Sequence, residues 1–299
     1  MSWNADGSAQ TSSFLHRNWK EHSRSIIKTA EDAQEAGYER VRRRAREYQG
    51  TILMHLGQFP EAVRVLQATL AEYEREGKEK EFPVHYFQCR VALGRALNAQ
   101  GKSQESREVL ERLIADPALK SAAIRTQGLI ALAATEGESG RPAVANKLVE
   151  RASAEAVVNG PQRSEVRQQQ CLRLASETET SKEAMRVCLD VKNELTAAKS
   201  ASFLPFVQYA LSQAYLDSGK PALALPELEE ALAAFQNNQS RNNIFYGQLL
   251  RATARPGNNQ AIQDAWKSLT GNWTKEEKRQ YLSRGSIARR VTAARVRLE

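Results

Sequence analysis

Turn residues recur along this 299-residue chain at a nearly constant step. Gly57, Gly101, Gly140, a Glu179-Thr180-Ser181 cluster, Gly219 and Pro256-Gly257 stand 38 to 44 residues apart. Apolar residues between them recur with a period near 3.6, so each step holds two helices. The clearest unit is CRVALGRALNAQGKSQESREVLERLIADP, residues 89–117. Before Gly101, Leu93, Ala96, Leu97 and Gln100 share a face; after it, Ser106, Val109, Leu110, Leu113 and Ile114 do. Gly101 can take positive φ and end the first helix. Ser103 is the expected cap of the second, and Asp116-Pro117 the expected stop. Neither helix is long enough to stand alone in water, and the pair leaves apolar surface for a neighbour built the same way.

The chain supplies such neighbours. A first pair has Ala45, Gln49, Gly50 and Leu53 before its turn and Ala62, Leu66 and Leu70 after it. A third has Leu132, Ala133, Ala145, Val149 and Ala152. A fourth is degenerate, with Leu172, Ala175, Ala184, Cys188 and Val191. A fifth restores the pattern through Leu211, Tyr215, Ala224, Leu228 and Ala231. A weaker sixth runs from Ile244, Tyr246 and Leu250 to Ile262 and Trp266. Sixteen Gly and nine Pro in 299 residues favour helix throughout. No run of alternating β-branched and aromatic residues is bounded by turn residues, so no sheet is expected. The predicted class is all-α, built of stacked antiparallel helix pairs. Three regions follow: residues 1–37, a polar tail and a capping helix carrying Phe14, Leu15, Trp19, Ile26, Ile27, Ala30 and Ala33; residues 38–270, the array; and residues 271–299, a basic C-terminal helix.

Self-similarity at a fixed step marks a solenoid, and the residues at these positions resemble the tetratricopeptide repeat (TPR) family. Leu93-Gly94, Leu97, Gly101, Leu110 and Pro117 match its motif, as do Leu211, Tyr215, Gly219, Ala224, Leu228 and Ala231. The step is longer than the family's 34 residues. Arg46, Arg90, Leu129 and Gln208 stand where a Trp is usual, and Ser103 and Ser106 replace an aromatic and an Ala. The resemblance implies a right-handed α-solenoid whose first helices line a concave surface. By the family's register that surface receives Gln88, Val91, Arg95 and Asn98, then Gln127 and Ile130, then Gln169 and Arg173, then Phe206, Tyr209 and Gln213. Amide and guanidinium groups there can bond a peptide backbone or a carboxylate. Glu47 and Thr51 occupy two positions at which one subset of the family clamps chaperone carboxylates with Lys and Asn, so that activity is not implied.

Catalysis needs converging groups, and the sequence offers none. His16, His22, His55 and His85 are scattered, and no HExxH, CxxC or Gly-x-Ser-x-Gly is present. Gly101-Lys102-Ser103 imitates the end of a phosphate-binding loop, but Ala96 stands where that loop needs glycine. A non-enzyme with no cofactor and no metal is expected. Cys89, Cys171 and Cys188 are odd in number and widely spaced, which is no disulfide framework and suits a reducing compartment. With no apolar leader in MSWNADGSAQTSS and no membrane-length run, cytoplasm is the expected location.

Net charge is +8, and residues 275–299 carry eight basic residues against three acidic. Ile287, Val291, Ala294 and Leu298 form one stripe there, surrounded by Arg284, Arg289, Arg290, Arg295 and Arg297. Such a helix can cap the last repeat, enter a partner's groove, lie on an anionic membrane or meet nucleic acid. Arg40, Arg42, Arg43, Arg44 and Arg46 fan over a helix among Glu39 and Glu47, as either a salt-laced surface or a patch for phosphates or an acidic partner. The expected function is an adaptor or scaffold binding a protein or peptide partner on the concave face. The alternative is an α-solenoid that binds nucleic acid through Arg40, Arg43, Arg44 and the tail arginines.

Overall fold

The computed structural model describes residues 19–156, 161–198, 203–257 and 259–298, and among these every regular element is helical. Phe14 and Leu15 lie outside the described residues. Helix α1 (Trp19–Glu35) precedes six hairpins: α2 (Glu39–His55) with α3 (Phe59–Arg75), α4 (Pro83–Gln100) with α5 (Ser103–Ala115), and α6 (Ala122–Glu138) with α7 (Pro142–Glu155). Then come α8 (Pro161–Ala175) with α9 (Ser181–Ala197), α10 (Leu204–Asp217) with α11 (Pro221–Asn237), and α12 (Arg241–Ala254) with α13 (Asn259–Thr270). Two short helices follow, α14 (Lys275–Leu282) and α15 (Gly285–Ala293). The tail is therefore two helices, not one. The chain reverses at Arg295, whose φ is +52°, so Leu298 joins the apolar stripe from beyond the helix.

One turn design repeats. An amide two or three residues past the helix end bonds back five residues, from Gln58 to Leu53, Lys102 to Leu97, Arg141 to Glu136, Lys220 to Tyr215 and Ser240 to Phe235, all at 2.8–2.9 Å. This Schellman-type bond satisfies carbonyls the helix leaves open. Gly101 closes α4 at φ +95°, and a Cβ there would strike the carbonyl of Gln280. Its freedom thus serves both the turn and the approach of α14. Ser103 is not the cap expected of it: Lys102 holds that position and makes no side-chain bond, because the preceding turn already fixes the backbone. The degenerate fourth turn has no glycine. A 3-10 turn, Thr178–Thr180, replaces it, and the Thr180 hydroxyl donates to the carbonyl of Leu174 at 2.6 Å.

The first helices of the hairpins, α2, α4, α6, α8, α10 and α12, pack each on the next and form a continuous inner row. The second helices each pack on the following first helix and form the outer row. Close crossings inside the hairpins depend on glycine. An added Cβ at Gly50 or at Gly94 would lie 2.5 Å from Cγ of Leu66 or of Leu110, and both leucines are fully buried. Helix α1 covers the open side of α2 through Ile26, Ala30 and Ala33.

The array curls until its ends meet. Phe59, at the start of α3, shares a core with Phe245 and Leu249 of α12, Trp266 and Leu269 of α13, Tyr281 of α14 and Ile287 of α15. The Tyr281 ring lies 5.3 Å from Trp273, 5.9 Å from Trp266 and 6.1 Å from Phe59.

The degenerate fourth hairpin corrects the cysteine expectation. Cys171 on α8 and Cys188 on α9 are both fully buried, their Cα atoms are 4.9 Å apart, and they form a disulfide. A separation of 17 residues looked wide in sequence, but the hairpin folds it onto facing positions. The reducing-compartment expectation loses its cysteine argument with this bond. Cys89 remains a free, buried thiol. Thiol titration of the unfolded, unreduced protein should find one reactive group, and reduction should cost on the order of 2–4 kcal/mol in a denaturant melt.

Candidate functional site

The tail occupies part of the inner face. Helix α14 packs on α4, while α15 packs on α6 and α12. Its anchor is Arg284, which enters between the inner helices and donates to Glu138 Oε1 at 2.8 Å and to the carbonyl of Ala99 at 3.2 Å. Ser286 adds its amide and its hydroxyl to the same carboxylate, at 3.0 and 2.6 Å. The pair is shut away from water, with side chains 8% and 14% exposed. Burial alone would push the Glu138 pKa up, but the Arg284 charge and the Ser286 hydrogen bonds overcome it and hold the carboxyl below its ordinary value. Burial likewise opposes the Arg284 charge, and Glu138 outweighs it. Thr274 and Glu277 start α14 with a reciprocal capping box.

The residues expected on the concave face fall on the inner helices, and most already have partners. Arg95 and Asn98 of α4, Gln169 of α8 and Phe206 of α10 line a cavity of about 520 Å³ together with buried Ile130. Arg95 bridges it to Glu165 at 2.6 Å. Gln169, Arg173, Phe206 and Tyr209 border a second space of about 230 Å³. Arg173 is paired with Glu177 at 2.7 Å. Gln213 donates to Asp217 and accepts from Arg290. Gln88 accepts from Arg44 at 2.7 Å. Gln127 is half-buried and borders neither cavity, and Val91 is buried in the core.

The arginine run of α2 meets carboxylates. Arg42 pairs with Glu39 and Glu72, Arg43 with Glu76, Arg44 with Glu47, and Arg46 with Glu72. Arg43 is 1% exposed and lies over the Tyr73 ring. Arg40 is exposed and stacks on Phe82 at 5.6 Å. Within the tail, Arg284 is buried in its pair, Arg289 and Arg290 border the smaller cavity, and Arg295 and Arg297 are exposed. Sequence reasoning missed Glu138, Glu165 and Ser286, because a glutamate near the end of an exposed-looking turn carries no local sign of burial. The aromatic density of the tail, Trp273 with Tyr281, was the one signal that it belongs to a core.

Comparison with known proteins accords with this geometry. Residues 88–112 match the tetratricopeptide repeat family. A tetratricopeptide repeat protein of Parabacteroides merdae ATCC 43184 superposes with a TM-score of 0.51 at 12% identity, over 88% of this chain and 98% of that one. The array is tetratricopeptide-like. TPR-like repeats from a Podosopora anserina protein described as a kinesin light chain align over 67% of this chain and 97% of theirs, at 21% identity and a TM-score of 0.46. No curated protein matches the chain. Among the described residues of this TPR-like array no helix is long and apolar enough to cross a membrane, and no three metal-ligating side chains cluster.

Two outcomes follow from the latch and the cavity. Arg284→Ala strands a buried carboxylate and should cost about 3–5 kcal/mol, read by urea unfolding and by tryptophan emission near Tyr281. Glu138→Ala in the same chain should cost less than the sum of the single changes. His55 borders the larger cavity, and burial with the Arg95 charge pushes its pKa down to about 4. The unfolded chain therefore binds the proton first. This contribution to stability is complete above the ordinary value of 6.5 and is lost as pH falls from there toward about 4. His55→Gln should flatten that part of the stability profile.

Proposed function

We propose that the chain is a non-catalytic interaction scaffold that takes a protein segment on the inner face of its TPR-like array. One observation carries the reading: α4, α8 and α10 bring Arg95, Asn98, Gln169, Arg173 and Phe206 to the borders of two adjoining cavities. Amides and guanidinium groups there can exchange their present bonds for those of a peptide backbone, and Phe206 offers an apolar anchor. The tail narrows this face, so the segment it takes is short, entering beside α15 rather than running the full length of a trough.

The nucleic-acid alternative retains Arg40, Arg289, Arg295 and Arg297 as exposed cations, whereas Arg43, Arg44 and Arg284 are committed to carboxylates. Phosphate-driven binding scales with the number of free cations and weakens steeply with salt, so four arginines divided between α2 and the tail favour it less. Affinity capture from the native cell should recover a partner with the wild-type chain and lose it with Arg95→Ala, Asn98→Ala and Arg173→Ala combined. Recovery undiminished by that triple change sinks the reading. Salt-sensitive retention of nucleic acid, abolished by changing Arg295 and Arg297, transfers support to the alternative.

A further inference from the structure

The two inner cavities adjoin. They share Ala134, Gln169, Leu172 and Phe206 on their borders, and the larger, about 520 Å³, lies in the range that holds small molecules, with the smaller, about 230 Å³, beside it. The larger has Phe59, Ile130 and Phe203 among its walls, with His55 and the Arg95–Glu165 pair beside them. The smaller gathers two arginines whose bonds go to neutral oxygens, and two donors, the Tyr209 hydroxyl and Arg173 Nε, that have no acceptor.

Arg290 lies over the rings of Tyr209 and Tyr246, at 5.3 and 5.2 Å, and its Nε reaches Gln213 at 3.3 Å. Arg289 donates to the carbonyl of Ser176 at 3.1 Å. The carboxylates near them are engaged elsewhere. Glu138 holds Arg284, Glu177 holds Arg173, and Asp217 accepts from Gln213. Tyr209 is 7% exposed, yet its hydroxyl has no hydrogen-bond partner, and neither has Nε of Arg173. Burial raises the Tyr209 pKa, so the phenol stays a donor. A buried polar group left in this state costs about 1–3 kcal/mol. Asp217 feels both Arg289 and Arg290, and two cations against that one anion leave a charge that a monoanion balances.

We propose that these adjoining cavities bind a small organic acid. Its carboxylate sits between Arg289, Arg290 and the Tyr209 hydroxyl, and its apolar body passes Leu172 and Phe206 into the larger cavity. This site lies in the same space as the proposed segment-binding face but needs no protein partner, so partner capture and acid binding can fail separately. Octanoate supplies the carboxylate on a free small molecule, and acetyl-Leu-Phe supplies it on a peptide terminus.

Calorimetric titration of the full chain tests the site with octanoate, octanol, octylammonium, acetyl-Leu-Phe and the amide of that peptide. Binding by octanoate, and not by octanol or octylammonium, is expected. The Arg289→Gln, Arg290→Gln double variant should weaken it at least about tenfold, equivalent to about 1.4 kcal/mol. Tyr209→Phe keeps the ring and its packing, and should weaken binding about two- to tenfold through the lost hydroxyl. Circular dichroism of the ligand-free variants should match the wild type. Binding by the peptide acid alone, with the same dependence on arginine, keeps the site and identifies a peptide terminus as the source. The proposal is overturned if neither acid binds, if octanol or octylammonium binds as tightly as octanoate, or if the folded variants bind as the wild type does.

Discussion

A hairpin of two short helices cannot bury its own apolar face, and everything in this protein follows from that shortfall. Each pair lends its uncovered side to the next, so stability is a chain of nearest-neighbour interfaces rather than one central core. Such a chain has two raw ends. At one end α1 covers α2. At the other the fold adds α14 and α15, and their Tyr281 and Ile287 are fully buried. The same aromatic cluster reaches Phe59 of the first hairpin. One set of side chains thereby covers the last repeat and ties it to the first.

That closure converts an open inner surface into a bounded one. The Arg284–Glu138 pair is buried where an isolated charge of either sign would be costly, so the two groups depend on each other. Ser286 satisfies the remaining carboxylate valence through its amide and hydroxyl. With the latch shut, the inner row of α4, α6, α8, α10 and α12 faces α14 and α15 as well as solvent. Both inner cavities carry charged and apolar walls, Arg289 and Arg290 beside Phe206 in one, Arg95 and Glu165 beside Phe59 and Ile130 in the other.

The periodic features were legible because they are local. Glycine at 57, 101, 140 and 219 takes positive φ, and Leu93, Leu97, Leu110 and Leu113 are buried as their spacing requires. Local chemistry also misled where a neighbour decided the outcome. Ser103 has the composition of a cap, yet the Schellman-type turn before it leaves Lys102 in that position. The tail stripe reads as one helix, but it breaks between Leu282 and Gly285 so that Arg284 can turn inward. Cys171 and Cys188 meet because their helices are antiparallel neighbours, a relation that no spacing rule for a loop-rich framework captures.

The sequence alone determined that this chain is helical, that its helices come in pairs with a step near forty residues, and which faces of them are apolar. Those properties depend on backbone propensity and on a 3.6-residue period, both readable within a dozen residues. Only the tertiary structure decided which charges are free. Arg43 and Arg284 look alike in sequence to Arg295 and Arg297, but the first two are buried against Glu76 and Glu138 while the others stay in water. For Arg284 curvature decides it, because the accumulated angle of the interfaces from the third hairpin to the tail brings residue 284 to residue 138, and no single interface records the sum.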